Sequence, residues 1–300
     1  MVLVYHRIAP SGTAHGGVTV SREHFEEHVE AARTHFRPLA LAELTRRLAD
    51  GAIPSRSVVF TFDDGYVDNL AEAKPVLERH DVPATVFVVS GYVGSGRRFW
   101  WDELERACDA PGLPDRLALN IGGAVRTWEV ADGRRRDLFR SLRGAFGRLE
   151  DCERDELLAR LGTLAGFAPT GSVETLTADE LLQLADGGLI EIGAHTVTHP
   201  CLAGLPRKRQ LAEIAESRRQ LEAILSREVR LFSYPFGSYG RTTAACAQRA
   251  GLTCACTIEG GGVGVSTNRF RLPRVHVDDW PADELIERVA AYLDVWATCG

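Results

Sequence analysis

The stretch Val58-Val59-Phe60-Thr61-Phe62-Asp63-Asp64-Gly65-Tyr66 limits what this chain can fold into more than any other. Its apolar and β-branched run is short and ends at two adjacent carboxylates and a glycine, which reads as a buried strand opening into a turn. Buried strands of this kind belong to parallel sheets covered by helices. Such sheets collect their functional groups at the carboxyl ends of the strands. Two carboxylates side by side there repel each other, so a cation, a shared proton or a metal has to compensate them. Asp-Gly is also a common solvated turn, and the stretch alone does not separate the two readings.

A second stretch separates them. Leu189-Ile190-Glu191-Ile192-Gly193-Ala194-His195-Thr196-Val197-Thr198-His199-Pro200 is again a short apolar run leading to glycine, followed by two histidines four apart. That spacing converges two imidazoles on one helical turn or in a tight loop. Two histidines and one carboxylate make a ligand set for a catalytic zinc, with one position left for water. Both polar clusters terminate strand-like runs, where a parallel sheet brings them together.

The rest of the chain repeats strand-then-helix units. Strands are predicted at 1–5, 57–62, 85–89, 189–193, 229–232, 252–257 and 270–277. Between them lie amphipathic helices from Ser21, over 41–48, 69–80, from the capping box Thr177-Ala178-Asp179-Glu180, and over 208–225, 241–250 and 282–295. Seven or eight such units predict a closed (β/α) barrel rather than an open sheet. From about Gly94 to Val173 glycines, prolines and charges break this pattern. Residues 94–173 are expected to form a mainly helical insertion, a cap within a single catalytic domain spanning 1–300. Within it, Phe99-Trp100-Trp101 offers flat apolar faces, suited to a sugar ring or to anchoring the insertion.

Composition excludes several classes. The net charge of −6 argues against a nucleic-acid surface. No apolar run reaches the length of a membrane span. Met1-Val2-Leu3-Val4-Tyr5 enters a strand at once with no signal segment, so a cytoplasmic location is expected. The seven cysteines show no paired-ligand spacing, and most are expected to be small core residues in a reducing compartment.

Thr61-Phe62-Asp63-Asp64-Gly65 and His195-Thr196-Val197-Thr198-His199 resemble the first two motifs of the polysaccharide deacetylases, the NodB-homology family of carbohydrate esterases. Phe232-Ser233-Tyr234-Pro235-Phe236-Gly237 resembles an altered third motif, and Pro83-Ala84-Thr85-Val86-Phe87-Val88 the strand after the first. The resemblance covers roughly 1–95 and 176–280. It implies a distorted barrel, often with seven strands, and a metal-dependent hydrolase that removes an N-acetyl group from an amino-sugar unit of a glycan or glycoconjugate. It also implies a division of labour: Asp64, His195 and His199 hold one divalent metal, zinc by default with cobalt, nickel or manganese also accepted, while Asp63 is the general base.

Other assignments rest on position. The main-chain N–H of Phe236, after Pro235 and Tyr234, is a candidate oxyanion donor. Ser233 stands where the family has an arginine that orients the base, and Arg274 is the candidate replacement from another strand. The family's Leu-x-His motif is absent, which leaves His276 as candidate acid, with Asp278 or Asp279 to hold its ring. His6, at the end of the first strand, either lines the crevice or sits hydrogen-bonded under a loop. Trp280 either lines the substrate pocket or caps the barrel. An amidase acting on a non-sugar C–N bond is the alternative within hydrolases. An Fe(II) oxygenase would use the same ligands but has no task for Asp63. A binding protein without activity would have lost the base or a ligand, and all four groups are present.

Overall fold

The computed structural model describes residues 1–10, 18–130, 134–166 and 174–297, with side chains as far as residue 293. Three strands, β1 (Val2–Tyr5), β2 (Ser57–Phe62) and β3 (Ala84–Val88), are buried at every residue. Only a sheet covered on both faces accepts such strands. They pair in parallel with β4 (Ile190–Ala194), β5 (Leu231–Ser233), β6 (Cys254–Cys256) and β7 (Val275–His276), in the order β6-β5-β4-β3-β2-β1-β7. The segment before β7 also bonds to β6: Leu272 donates to Ala255 and accepts from Thr257, while Val4 is in register with His276. The path of seven strands therefore returns on itself, as the resemblance implied.

Alternation along the strands sorts the side chains into two layers. Val2, Val59, Phe87, Leu231, Cys254, Cys256 and Leu272 form one core inside the barrel. Helix α2 (Leu41–Ala49) joins that core through Leu41, Leu44 and Leu48. Gly193 lies beside Phe87, and a Cβ there would overlap the ring, so glycine is needed for the Phe87 ring to fill the interior. The opposite strand faces, with Leu3, Tyr5, Phe60, Phe62, Val86, Val88 and Phe232, pack on the surrounding helices. Those helices are α1 (Arg22–His35), α3 (Lys74–His80), α4 (Ala178–Ala185), α5 (Arg207–Leu225), α6 (Arg241–Arg249) and α7 (Ala282–Ala297). Ser21 caps α1, and Thr177 with Glu180 closes the expected capping box of α4. The helix expected over 69–80 begins instead as a π turn, Asn69–Ala73. That turn precedes Pro75, which has no N–H to offer the helix ladder.

The chain divides into two compact units, Met1–Ser95 with Leu176–Gly300, and Gly96–Thr175. The second unit has the expected helices, Trp100–Asp109, Arg135–Phe146 and Asp151–Ala165. It also holds an antiparallel hairpin, Arg116–Ile121 with Ala124–Glu129, that the reading of a mainly helical insertion missed. Trp100 is buried, not exposed. Trp101 stacks on Phe99 with centroids 4.5 Å apart and meets Trp100 edge-on. These rings belong to an aromatic cluster of this unit. Among the described residues no helix is long and apolar enough to cross a membrane. Cys108, Cys246, Cys254 and Cys256 are buried and unbridged; Cys299 lies outside the described residues.

Trp280 takes the Arg288 guanidinium on its ring at 4.3 Å and packs against the outer core. Its carbonyl accepts from His28 Nε2 at 2.7 Å, while His28 Nδ1 meets the Tyr5 hydroxyl at 3.3 Å. Burial lowers His28 to about 4 against that hydrogen bond. The unfolded ring, near 6.5, therefore takes its proton first, and stability falls as pH drops from 6.5 toward 4. The full shift is worth about 3 kcal/mol. In denaturant unfolding across this range, His28→Leu should lack that share of the slope; equal slopes would contradict the assignment.

Candidate metal centre and active site

The register of the sheet brings the ends of neighbouring strands together. Tyr5 pairs with Phe62, Val88 with Ala194, Ala194 with Phe232, and Ser233 with Cys256. His6 and Asp63 are therefore neighbours, as are His195 and Ser233, and the Asp64 carbonyl accepts from the N–H of Val89. The side chains of Thr61 and Asp63 follow Val59 on the inner face of β2, and Arg274 and His276 follow Leu272.

Asp64, His195 and His199 are buried and their donor atoms converge. Asp64 Oδ1 stands 3.5 Å from His195 Nε2 and 3.3 Å from His199 Nε2. The two Nε2 atoms are 3.2 Å apart. Three corners of a tetrahedron with bonds of about 2.1 Å are roughly 3.4 Å apart, so this donor set fits a zinc-sized cation. His195 Nδ1 meets the Ser233 carbonyl at 2.8 Å, which turns Nε2 toward the other ligands. Burial would raise the Asp64 carboxyl, but its hydrogen bonds to the two histidines hold it far below the usual range. Burial lowers His199 to about 4, so its ring is neutral and has a lone pair to offer. His195 is also pressed down by burial, but Asp63 and Asp64 outweigh this and raise it.

The backbone here is unusual. Asp64, Thr196, His199 and Phe236 are all left-handed, with φ of 74°, 67°, 55° and 55°. The loop between the histidines is tied from both sides. Thr196 and Val197 carbonyls accept from the N–H groups of Ser90 and Gly91 at 3.1 and 3.0 Å. Gly91 is glycine by necessity, because a Cβ would stand 2.5 Å from the Val197 oxygen. On the other side, Glu213 of α5 accepts from Val197 and Thr198. Nothing in the motifs points to Glu213; it lies on a helix whose charges read as a solvated face.

Arg274 resolves the missing third-motif arginine. Its side chain is fully buried and grips Asp63 with both Nη atoms, at 2.7 and 2.6 Å. Nη1 also donates to the Thr61 hydroxyl, Nη2 to the Ser233 hydroxyl, and Nε to the Thr257 carbonyl, at 3.1, 2.7 and 2.8 Å. A guanidinium has five N–H donors, and each has an acceptor here. Burial would raise Asp63, yet Arg274 holds it at about 2, so it is ionised at neutral pH. Asp63 Oδ2 lies 4.0 Å from His195 Nε2, beside the triad.

The remaining candidates divide. The Phe236 ring stands edge-on to His199 at 4.5 Å, in the turn Pro235–Gly237. Tyr234 turns away: its hydroxyl donates to the Phe270 carbonyl in the core and its ring stacks on Tyr239, so it is a packing residue. His6 and His276 lie together, ring centroids 5.5 Å apart. Burial lowers His6, opposed by the charges of Asp64 and Asp63. His276 is 42% exposed, with Nδ1 3.4 Å from Asp278. Asp279 does not hold that ring; it accepts from Ser21 and pairs with His24 at the start of α1. Trp101 belongs to the other unit.

Removing one member of a buried ion pair strands the other, so Arg274→Met should cost about 3–5 kcal/mol in denaturant unfolding. Asp63→Asn combined with Arg274→Met should be less destabilised than Arg274→Met alone, because neither charge is then left uncompensated. A double variant as unstable as the sum of the two singles would contradict the pairing.

Residues 50–112 and 155–255 match the family model of the polysaccharide deacetylases. The chain aligns over 278 residues, at 23% identity, with YxkH of Bacillus subtilis (strain 168), a protein named for this family; the match spans 92% of this chain and 70% of that one. A 77-residue stretch is 34% identical to the poly-β-1,6-N-acetyl-D-glucosamine N-deacetylase of Staphylococcus aureus (strain MSSA476), and spans 25% of this chain and 27% of that protein. The fold is that of the Streptococcus pyogenes deacetylase PplD, solved in complex with acetate, with a TM-score of 0.64 over 95% of this chain and 96% of that one, at 20% identity. The family match runs through both carboxylates, both histidines and the strand before Ser233, and on that ground the chain belongs to the polysaccharide deacetylase family.

Proposed function

We propose that this chain is a metal-dependent N-deacetylase that removes an acetyl group from an amino-sugar unit of a glycan or glycoconjugate, releasing acetate and a free amine. The observation that carries this reading is the pairing of a buried Asp64–His195–His199 donor triangle with a second carboxylate, Asp63, kept ionised beside it by Arg274. One carboxylate and two histidines hold the ion, and the other carboxylate is left for proton transfer. When bound, a divalent ion supplies Lewis acidity toward water and toward an amide carbonyl. Zinc suits this donor set best; cobalt, nickel and manganese are the alternatives.

The protein's own groups do the rest. Asp63 takes the proton of the attacking water, and Arg274 fixes the direction of its oxygens. The Phe236 main-chain N–H, in the left-handed turn beside His199, donates to the developing oxyanion. The leaving amine needs a proton, and His6 and His276 form the delivering pair. His6 is the inner member, and its Nδ1 is buried with no hydrogen-bond partner among the described residues. His276, in contact with solvent, is the outer one. What supports an N-acetyl amino sugar over another amide is the name of the Staphylococcus aureus relative, which shares 34% identity over its 77 residues.

The test is metal content and acetate release from a panel of N-acetylated amino sugars and their oligomers. Wild type should bind close to one ion per chain and release acetate; Asp64→Ala should lose both. Metal bound with no acetate from any sugar would move the activity to another amide. An absence of metal after reconstitution with several divalent ions would overturn the mechanism. For the proton donors, kcat should fall about 100- to 10,000-fold in His276→Ala and less in His6→Ala, with metal content unchanged in both. The reverse order would make His6 the donor.

A further inference from the structure

We propose that Glu213 is a positioning residue for the two metal-site histidines, an inference that rests on the reading of that site given above. His195 and His199 flank a three-residue loop, and Thr196 within it and His199 at its end adopt left-handed backbone at φ of 67° and 55°. Such conformations are costly and persist only where the surroundings over-determine them. The Thr196 hydroxyl accepts from the His199 N–H at 3.0 Å, which closes the loop on itself. The Thr196 and Val197 carbonyls are held by the turn at Ser90 and Gly91. That leaves the successive N–H groups of Val197 and Thr198, both aimed at Glu213 Oε2, at 2.9 and 3.0 Å. The Thr198 hydroxyl donates to Oε1 at 3.0 Å.

Two adjacent N–H groups pointing at one anion make a nest, and here the anion is a nearly buried carboxylate from α5. Its bonds are charge-assisted and so stronger than neutral ones. One Glu213 oxygen accepts from both of those N–H groups. Without it, two donors are stranded in the middle of the loop, and the strained residues on either side are free to relax. Relaxation at His199 moves Nε2 directly, because the strained residue is itself the ligand. Glu213 thus acts on the two histidines through the main chain of the loop between them.

Cobalt(II) alone is the probe, titrated into metal-free protein with visible absorption as readout of both affinity and coordination. Glu213→Ala should weaken binding roughly 10- to 100-fold, as loss of a group supporting a ligand does, with an altered absorption band. Glu213→Gln keeps an acceptor but not the charge and should fall between Ala and wild type. Lys208→Gln, an exposed position on the same helix, should match wild type. If Glu213→Ala does not fold, Glu213→Gln and Thr198→Val decide the matter. Wild-type affinity and spectrum in the folded variants, even with a lowered unfolding midpoint, would make Glu213 merely structural and overturn the inference. Failure of wild type itself to bind cobalt would overturn the metal site beneath it, a different result.

Discussion

The buried ion pair of Arg274 and Asp63 is the constraint on which the site depends. A charge taken fully out of water is tolerated only when its partners replace the lost hydration. One guanidinium meets Asp63 twice, Thr61, Ser233 and the Thr257 carbonyl, groups carried by or adjoining β2, β5 and β6. It is itself on the strand that closes the barrel. The pair therefore fixes more than a side chain. A slip of one residue in the last strand would turn Arg274 to the helix-covered face and leave Asp63 charged and alone. The need to satisfy these five donors selects one register for four strands at once.

How much of this was legible follows from how local each signal is. Asp63, Asp64, His195 and His199 sit in contiguous runs where strand and loop are both readable, and the barrel follows from the repeated units. Arg274 was a candidate only because Ser233 left a task unassigned; sequence does not tell which strand closes against β1. Tyr234 does not join the site because neighbouring residues at a strand end diverge: the Phe236 ring meets His199 while the Tyr234 hydroxyl turns into the core. Asp278 and Asp279 diverge in the same way. Glu213 left no trace, since its partners are main-chain N–H groups that any sequence provides. The hairpin in the second unit did leave a signal. Arg116–Ile121 alternates exposed and buried, and Gly122-Gly123 supplies the two positive-φ positions of a tight turn.

Strain is concentrated where the chemistry is expected. Seven non-glycine residues among those described have left-handed backbone, and four of them, Asp64, Thr196, His199 and Phe236, belong to or border the Asp64–His195–His199 cluster. Of the other three, Asp81 and Ser226 end helices and Arg56 sits in the turn before β2. At the site the four turn ligands and a main-chain donor inward from strands that would otherwise run on past. The rigid network around Arg274 and the tied loop after β4 are what such backbone requires to persist.

The closing strand also sets an order of events during synthesis. Asp63 leaves the ribosome early, whereas its counter-ion lies 211 residues further along. Through most of translation the first carboxylates have neither their guanidinium nor, for the first part, their histidines, and two like charges discourage the mouth of the sheet from closing around them. The amino-terminal strands can pair as they emerge. Asp63, however, acquires its final environment only when the last strand inserts between β6 and β1, so a nascent or truncated chain that lacks it is expected to be catalytically silent.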